Sequence, residues 1–395
     1  FRPDLHDKPV VVLSSNDGCV VARSQEIKDM GVPMGVPYFK IKDTLKKAET
    51  VVFSSHFALY RDVSRRVFSV MRDVLGEVQQ YSIDEAFFTV SSEPEITAWE
   101  LKTEVEKRVG IPVSIGLAST KTLAKYANSL AKKGSGISVL SDKKWLESAS
   151  EVPLSTVWGV GGKLEIKYKS VGLTTAADLI ALDRDRVQTL FGVSGLRLQA
   201  ELSGQSVYEP EIRLEPQKSI MSSRSFGTLV EEKMILEDAV AYHVRHAAAD
   251  LRAMNSLATK IRVFIRASNH GDYFLRGGSK ESILTIPSND TIELIKIASK
   301  TVSDLYEHNV PYKKAGIVLS GLLPAGSNQQ QLFTENSKTD NSSLLVAVDR
   351  LNEQSGRELV TMGTRLRTKQ WQTRRESRSP AYTTQWSDLA KVKAK

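Results

Sequence analysis

The chain has 395 residues, 41% hydrophobic and 25% charged, with 54 Lys+Arg against 46 Asp+Glu and a single cysteine. This is globular composition, so wholesale disorder and collagen-like or fibrous repeats are excluded, and at roughly 100 to 200 residues per domain several domains are expected. Cys19 alone admits neither an internal disulfide nor a structural zinc pair, which fits a reducing, cytoplasmic setting, and no apolar run reaches the roughly 18 residues of a membrane helix.

The sequence opens on Phe1 and runs almost at once into the apolar Pro9-Val-Val-Val-Leu13, without a signal-peptide pattern. Residues 51–53, 77–83, 86–90 and 112–117 then read as strands. Residues 57–75, 97–109 and 120–132 read as helices, the first with Tyr60, Val63, Val67, Val70, Met71 and Val74 on one stripe. Together these describe most of a β-α-β-β-α-β layer over 1–150 that lacks one edge strand at the front. Residues 151–206 form a small helical domain, and 207–217, with Pro210 and Pro216, a linker. The β-α-β-β-α-β order then repeats over 218–323.

Beyond Pro324 a Ser/Asn/Gln-rich stretch precedes one helix at 344–352 and a basic end. Residues 361–395 carry nine Lys/Arg against two acids, which is +7 of the chain's +8. Clustered positive charge suits a polyanion or an acidic partner, and a loose solvated tail is the plain alternative.

Chemistry is concentrated at Tyr81-Ser-Ile-Asp-Glu-Ala-Phe87, where two adjacent carboxylates fall between two strands. Neighbouring carboxylates repel, and a divalent cation relieves the repulsion while leaving coordination positions for phosphate oxygens. The alternative is an acidic turn exposed to water, which the apolar flanks Ile83, Phe87 and Phe88 weaken. Val157-Trp-Gly-Val-Gly-Gly162, before Lys163, reads by itself as a plain helix C-cap turn, with a backbone that approaches a phosphate at a helix N-terminus as the functional alternative. Residues 259–268 alternate Ile261, Val263 and Ile265 with Lys260, Arg262, Phe264 and Arg266, a core face against a basic one that is either a solvated sheet face or suited to a nucleic-acid backbone. His243 and His246 lie three apart on a helical stripe and are assigned to packing.

Tyr81-Ser-Ile-Asp-Glu-Ala-Phe87 resembles the central catalytic motif of the Y-family translesion DNA polymerases. Ser14-Ser-Asn-Asp-Gly-Cys-Val-Val-Ala-Arg23, Gly31-Val-Pro-Met-Gly-Val-Pro37, residues 218–227, Tyr312-Lys-Lys-Ala-Gly316 and Ser379-Pro-Ala-Tyr-Thr-Thr-Gln-Trp-Ser-Asp-Leu389 resemble its UmuC branch. The resemblance implies an α+β multidomain, right-hand polymerase. It comprises a ferredoxin-like palm with small fingers (1–150), a helix-hairpin-helix thumb (151–206), a βαββαβ little finger (218–323) and a flexible clamp-binding segment with a basic tail (324–395). It implies Mg²⁺ held by Asp84 and Glu85, a triphosphate gripped by Lys28 and Lys132, and Cys19 and Val20 over the nascent base pair. DNA contacts are expected at Gly159, Gly161, Gly162, Lys163, Arg224, Lys260, Arg262 and Arg266.

Gln329, Leu332 and Phe333, in Gln329-Gln-Gln-Leu-Phe333, resemble the peptide that binds the bacterial β sliding clamp. Primer-template DNA, deoxynucleoside triphosphates, a processed UmuD dimer and a RecA filament are the further partners implied, in SOS mutagenesis. Relatives also begin with a strand bearing another metal-binding Asp and an aromatic steric gate, neither of which is in this sequence, so the chain taken literally is expected to be impaired. A non-catalytic damaged-DNA-binding relative is the competing reading. A nucleotidyl cyclase with a similar palm is disfavoured by the second sheet domain.

Overall fold

The computed structural model describes residues 1–208, 217–268, 276–327, 341–355, 358–363 and 370–389. The chain divides into two compact units, Phe1–His56 with Glu215–Pro380, and Phe57–Leu214 with Ala381–Lys395. This division cuts through the stretch 1–150 that the sequence treats as one domain.

In the first unit, β1 (Val10–Leu13) pairs antiparallel with β2 (Val20–Arg23) and parallel with β3 (Val51–Ser54). Helices α1 (Gln25–Asp29) and α2 (Tyr38–Lys47) lie between β2 and β3 in sequence, and Val11, Leu13, Val20, Ile27 and Leu45 form the core of this layer.

The second unit contains α3 (Phe57–Leu75), the short hairpin β4 (Gln79–Gln80) and β5 (Ala86–Phe87), and α4 (Pro94–Val109). The parallel pair β6 (Ile115–Leu117) and β7 (Ile137–Val139) flanks α5 (Lys121–Ala131). On α3 the buried residues are Leu59, Ser64, Phe68, Val70 and Met71, of which Phe68, Val70 and Met71 pack with Ala98, Leu101 and Val105 of α4, whereas Tyr60 is exposed. Val67, Val70, Met71 and Val74 of the expected stripe thus face this core, joined by Phe68, and Tyr60 departs from it.

Helices α6 (Asp142–Ser148), α7 (Gly162–Ser170), α8 (Ala176–Ala181) and α9 (Arg184–Leu202) complete this unit around Trp145, Tyr168, Leu179 and Leu202. Glu201 ties α9 back to α5. It is fully buried; its Oε2 accepts from Thr122 N–H at 3.0 Å, and its Oε1 accepts from the N–H groups of Val207 and Tyr208 at 2.7 and 3.1 Å. A buried carboxylate is tolerated when donors surround it in this way.

The remainder of the first unit is β8 (Ser219–Val230), α10 (Lys233–Ala253), β9 (Ser256–Ala267), β10 (Gly277–Ser288), α11 (Thr291–Leu305) and β11 (Tyr312–Pro324), the β-α-β-β-α-β order expected from the sequence. Its antiparallel sheet runs β10-β9-β11-β8. Ile261, Val263 and Ile265 are each at most 1% exposed and pack with Leu236, Val240, Leu294 and Val302 of the two helices. Each such side chain contributes about 1.5–3 kcal/mol of burial.

The polar and basic end differs from the loose tail the sequence allows. Helix α12 (Ser342–Ser355) packs on α10, where Arg252 Nε donates to Asp349 Oδ2 at 2.6 Å, and Trp371 belongs to the sheet domain's core at 1% exposed. One large aromatic can recruit a charged segment whose other side chains stay in water. Among the described residues no helix is long and apolar enough to cross a membrane.

Candidate active site

Strands β4 and β5 contribute only two residues each, pairing Gln79 with Phe87 and Gln80 with Ala86. Between them the N–H groups of Tyr81 and Ser82 both donate to the Glu85 carbonyl, at 2.9 and 3.0 Å, which draws the chain into a tight bend. Ser82 Oγ donates to Asp84 Oδ1 at 2.7 Å and accepts from Asp84 N–H at 3.2 Å, while Ser64 of α3 donates to the Ile83 carbonyl. The bend suspends the strand alternation that would send adjacent side chains to opposite faces, the condition for Asp84 and Glu85 to serve one cation. Asp84 is exposed and Glu85 half-buried.

Helix α5 supplies the opposing charge. Its N-cap Thr120 accepts from Leu123 N–H at 3.2 Å, fixing the first turn. Lys121 and Lys125 follow four residues apart, a spacing that places them on one helical face. Lys125 Nζ forms an ion pair with Glu85 Oε1, the two side chains being 21% and 35% exposed. Lys121 Nζ donates to Gln79 Oε1 at 2.6 Å and stands 5.1 Å from the centre of the Phe87 ring. Neither lysine was singled out from the sequence; the available signal was their four-residue spacing in a helix that follows a strand.

Behind the bend is an aromatic cluster. Trp158 lies 5.6 Å from Tyr81, 5.8 Å from Phe87 and 6.3 Å from Tyr208 between ring centres, and Tyr81 meets Phe87 at 5.6 Å. Such pairs add about 0.5–1.5 kcal/mol each beyond area burial. They join the acidic bend to the turn before α7. In that turn Gly159 takes φ +91, Gly161 is the N-cap, and Gly162 and Lys163 open the helix with no side-chain cap bond. A Cβ at Gly161 or Gly162 would meet nothing within 4 Å, so the backbone is approachable there.

The donors suit magnesium in kind. Two hard carboxylates, each with one oxygen beyond the Ser82 and Lys125 contacts, match an ion usually held by one or two protein carboxylates and completed by phosphate oxygens and water. Among the described residues no group of three His, Cys, Asp or Glu side chains forms a protein-only cage.

The other expected site residues are distributed as follows. Lys132 caps the C-terminus of α5 and is exposed; Lys28 is exposed on α1, its Nζ 3.4 Å from Gln25 Oε1. Cys19 is half-buried and bridges to Pro37. Val20 corrects the sequence reading: it is 0% exposed in the core of the β2-β1-β3 layer, because its strand register turns it inward, and its side chain is closed to a base. Arg224 is half-buried, its guanidinium 5.3 and 5.6 Å from the ring centres of Tyr242 and Trp371, contacts that leave its charge in place. On β9, Arg266 is exposed, whereas Lys260 and Arg262 share Glu281, at 3.8 and 2.8 Å, which cuts the charge of that face. Gln329, Leu332 and Phe333 lie outside the described residues.

Family profiles match three stretches of the chain. The impB/mucB/samB family matches residues 1–129, the impB/mucB/samB family C-terminal domain matches 217–332, and Domain of unknown function (DUF4113) matches 342–392. The chain is 35% identical to Protein UmuC of Salmonella typhimurium, over 100% of its own length and 96% of that protein. It is 27% identical to DNA polymerase IV 1 of Bacillus subtilis, over 95% and 91% of the two chains. Among solved structures, a Y-family DNA polymerase chimera superposes with a TM-score of 0.66 at 18% identity, over 81% of this chain and 94% of that one, a likeness of fold. The insertion ternary complex of Dbh DNA polymerase gives 0.53 at 18% identity, over 80% and 93%.

Proposed function

This chain belongs to the impB/mucB/samB family of Y-family polymerases, and from that premise we propose that it carries out template-directed, error-prone DNA synthesis past lesions, with Asp84 and Glu85 at the reaction centre. The observation that carries this reading is the acidic bend: two adjacent carboxylates, one exposed and one half-buried, held by Ser82, Ser64 and the Glu85 carbonyl and backed by Tyr81, Phe87 and Trp158. A rigid, solvent-facing acidic pair with a basic helix beside it suits transfer of a nucleotidyl group between polyanions.

Each group has a definable task. Magnesium, when bound, would neutralise the triphosphate and lower the pKa of the primer 3′-hydroxyl. Asp84 and Glu85 would hold it, with Ser82 fixing the Asp84 rotamer. Lys125 balances the charge of Glu85, and Lys132, exposed at the end of α5, offers a cation for the leaving pyrophosphate. The open N-terminus of α7 would take a DNA phosphate on the N–H groups of Gly162 and Lys163. Lys28 and Cys19 belong to the same proposal as triphosphate and base-pair contacts. So do the processed UmuD dimer, the RecA filament and the sliding clamp as partners.

The test is primer extension by the full-length gene product on undamaged and lesion-bearing templates with Mg²⁺. Extension past the lesion that disappears in Asp84→Ala supports the proposal. DNA binding without any nucleotide addition would favour a non-catalytic damaged-DNA-binding protein instead.

A further inference from the structure

Residues 370–379, inside the stretch matched by the domain of unknown function, make a connected series of contacts within the first compact unit. Trp371 is the anchor, donating its indole N–H to Asp238 Oδ2 at 2.6 Å with its ring 5.0 Å from Tyr242. The chain next follows the edge strand β8, where Thr228 Oγ1 donates to the Gln370 carbonyl at 2.7 Å and Gly227 N–H to the Gln372 carbonyl at 3.2 Å. Gly227 is shaped for this crossing, since a Cβ there would stand 2.6 Å from the Gln372 oxygen and 2.9 Å from Arg374 Cγ.

The same segment then reaches the loop between β1 and β2. Arg374 N–H donates to Asn16 Oδ1 and Glu376 N–H to Asp17 Oδ2, each at 3.0 Å, while Asn16 Nδ2 donates to the carbonyls of Ser225 and Phe226 at 3.1 and 3.2 Å. Beyond it, Ser54 N–H donates to the Ser377 carbonyl at 2.9 Å, and Ser377 N–H donates to Ser54 Oγ at 3.1 Å. Asn16 and Asp17 take φ values of 62 and 50, left-handed conformations that L-residues adopt at a cost and that their side-chain bonds to the segment offset. The loop closes on Cys19, which exchanges bonds with Ser14: Ser14 N–H to the Cys19 carbonyl at 2.8 Å and Cys19 N–H to Ser14 Oγ at 3.0 Å.

We propose that residues 370–379 are a clasp that fixes the Ser14–Cys19 loop to the β8 edge, with Asn16 and Asp17 as positioning residues that set the fit of the incoming nucleotide. The clasp itself follows from the contacts; its effect on nucleotide fit rests on the polymerase reading, in which Cys19 faces the nascent base pair. A segment merely draped over the surface would need neither a glycine opposite it nor two residues held left-handed.

Three variants of the full-length protein separate the possibilities. Asn16→Gly removes three side-chain bonds yet tolerates φ +62; Gly227→Val wedges the clasp off β8; Asp17→Asn keeps an oxygen acceptor and serves as the conservative control. Hydrogen exchange is followed at residues 14–20, 372–378 and the α10 and β9 interior. In Asn16→Gly and Gly227→Val, exchange at 14–20 and 372–378 should accelerate about tenfold or more, with the interior unchanged and Asp17→Asn close to the parent. In primer extension the first two variants should raise KM for the nucleotide about tenfold, with kcat within about twofold, and raise misinsertion.

Exchange at 14–20 that stays slow when 372–378 is released overturns the clasp. Released exchange with unchanged KM and misinsertion overturns its role in nucleotide fit. Should the parent itself add no nucleotides, the polymerase reading fails, and the exchange results still decide the clasp.

Discussion

Lys125 and Glu85 are joined by an ion pair across the gap between α5 and the acidic bend, so one of the two candidate metal-binding carboxylates carries a cationic partner from the protein itself. A divalent cation approaching Glu85 competes with that ammonium group. Half-exposed pairs of this kind are worth about 0.2–1 kcal/mol after solvent screening.

Lys125→Met therefore should tighten binding of Mn²⁺, used as a spectroscopic substitute for Mg²⁺, by about two- to fivefold, because the competitor is gone. Turnover should fall, because Glu85 loses the group that orients it. Electron paramagnetic resonance titration reads the first effect and primer extension the second. Weaker Mn²⁺ binding would contradict a competing role for Lys125.

Asp84→Ala and Glu85→Ala in the full-length gene product should each lower nucleotide addition by about 10²–10³-fold or more. Asp84 is exposed, so its removal should leave urea stability within about 0.5 kcal/mol of the parent. Loss of activity accompanied by unfolding would show that the bend is structural.

Glu201→Gln should destabilise the second unit by about 1–3 kcal/mol, since an amide NH₂ replaces one of the oxygens that accept from Thr122, Val207 and Tyr208. Glu201→Ala should cost more, with the buried Thr122 N–H and the N–H groups of Val207 and Tyr208 left to find other acceptors. Urea denaturation followed by Trp fluorescence measures both, with Trp145, bonded through its Nε1 to the Leu202 carbonyl, as a nearby reporter.

Acid should loosen the helical part of the same unit. Backbone N–H groups of Thr175 and Thr174 donate to Asp178 and hold its carboxyl below the ordinary value of 3.8. A depressed carboxylate contributes stability that is complete above the unfolded-state value and is lost as pH falls through the folded one. Stability from this capping box should thus persist down to about pH 4 and decline below it, and Asp178→Asn should flatten the decline. Urea midpoints measured from about pH 6 down to pH 3 test the sign.

The parts of this fold that were legible from the sequence are those governed by local periodicity. The run Ile261, Val263, Ile265 announces a half-buried strand by its period of two, and β9 forms there with those side chains buried. Helix α3 likewise forms at the expected residues, although Phe68 joins the expected stripe and Tyr60 departs from it, because the direction of burial depends on where α4 packs. The acidic pair was visible as a motif, but its two-residue strands were not, since Tyr81 and Ser82 give their N–H groups to the bend. Lys125 and Trp371 were hidden for a different reason: each meets its partner far along the chain, Glu85 and Asp238 respectively, and no periodic pattern encodes such a meeting.

Gly116 gives the geometry of the basic helix its origin. A Cβ at that position would stand 2.1 Å from the backbone nitrogen of Asn128 and 2.4 Å from the Ala124 oxygen, so α5 rests directly on the main chain of β6. Two backbones in contact leave no soft layer to absorb slippage. The missing methyl acts as a zero mark on a ruler, from which the reach of Lys121 and Lys125 toward the hairpin is measured; any larger residue at 116 would lift the whole scale.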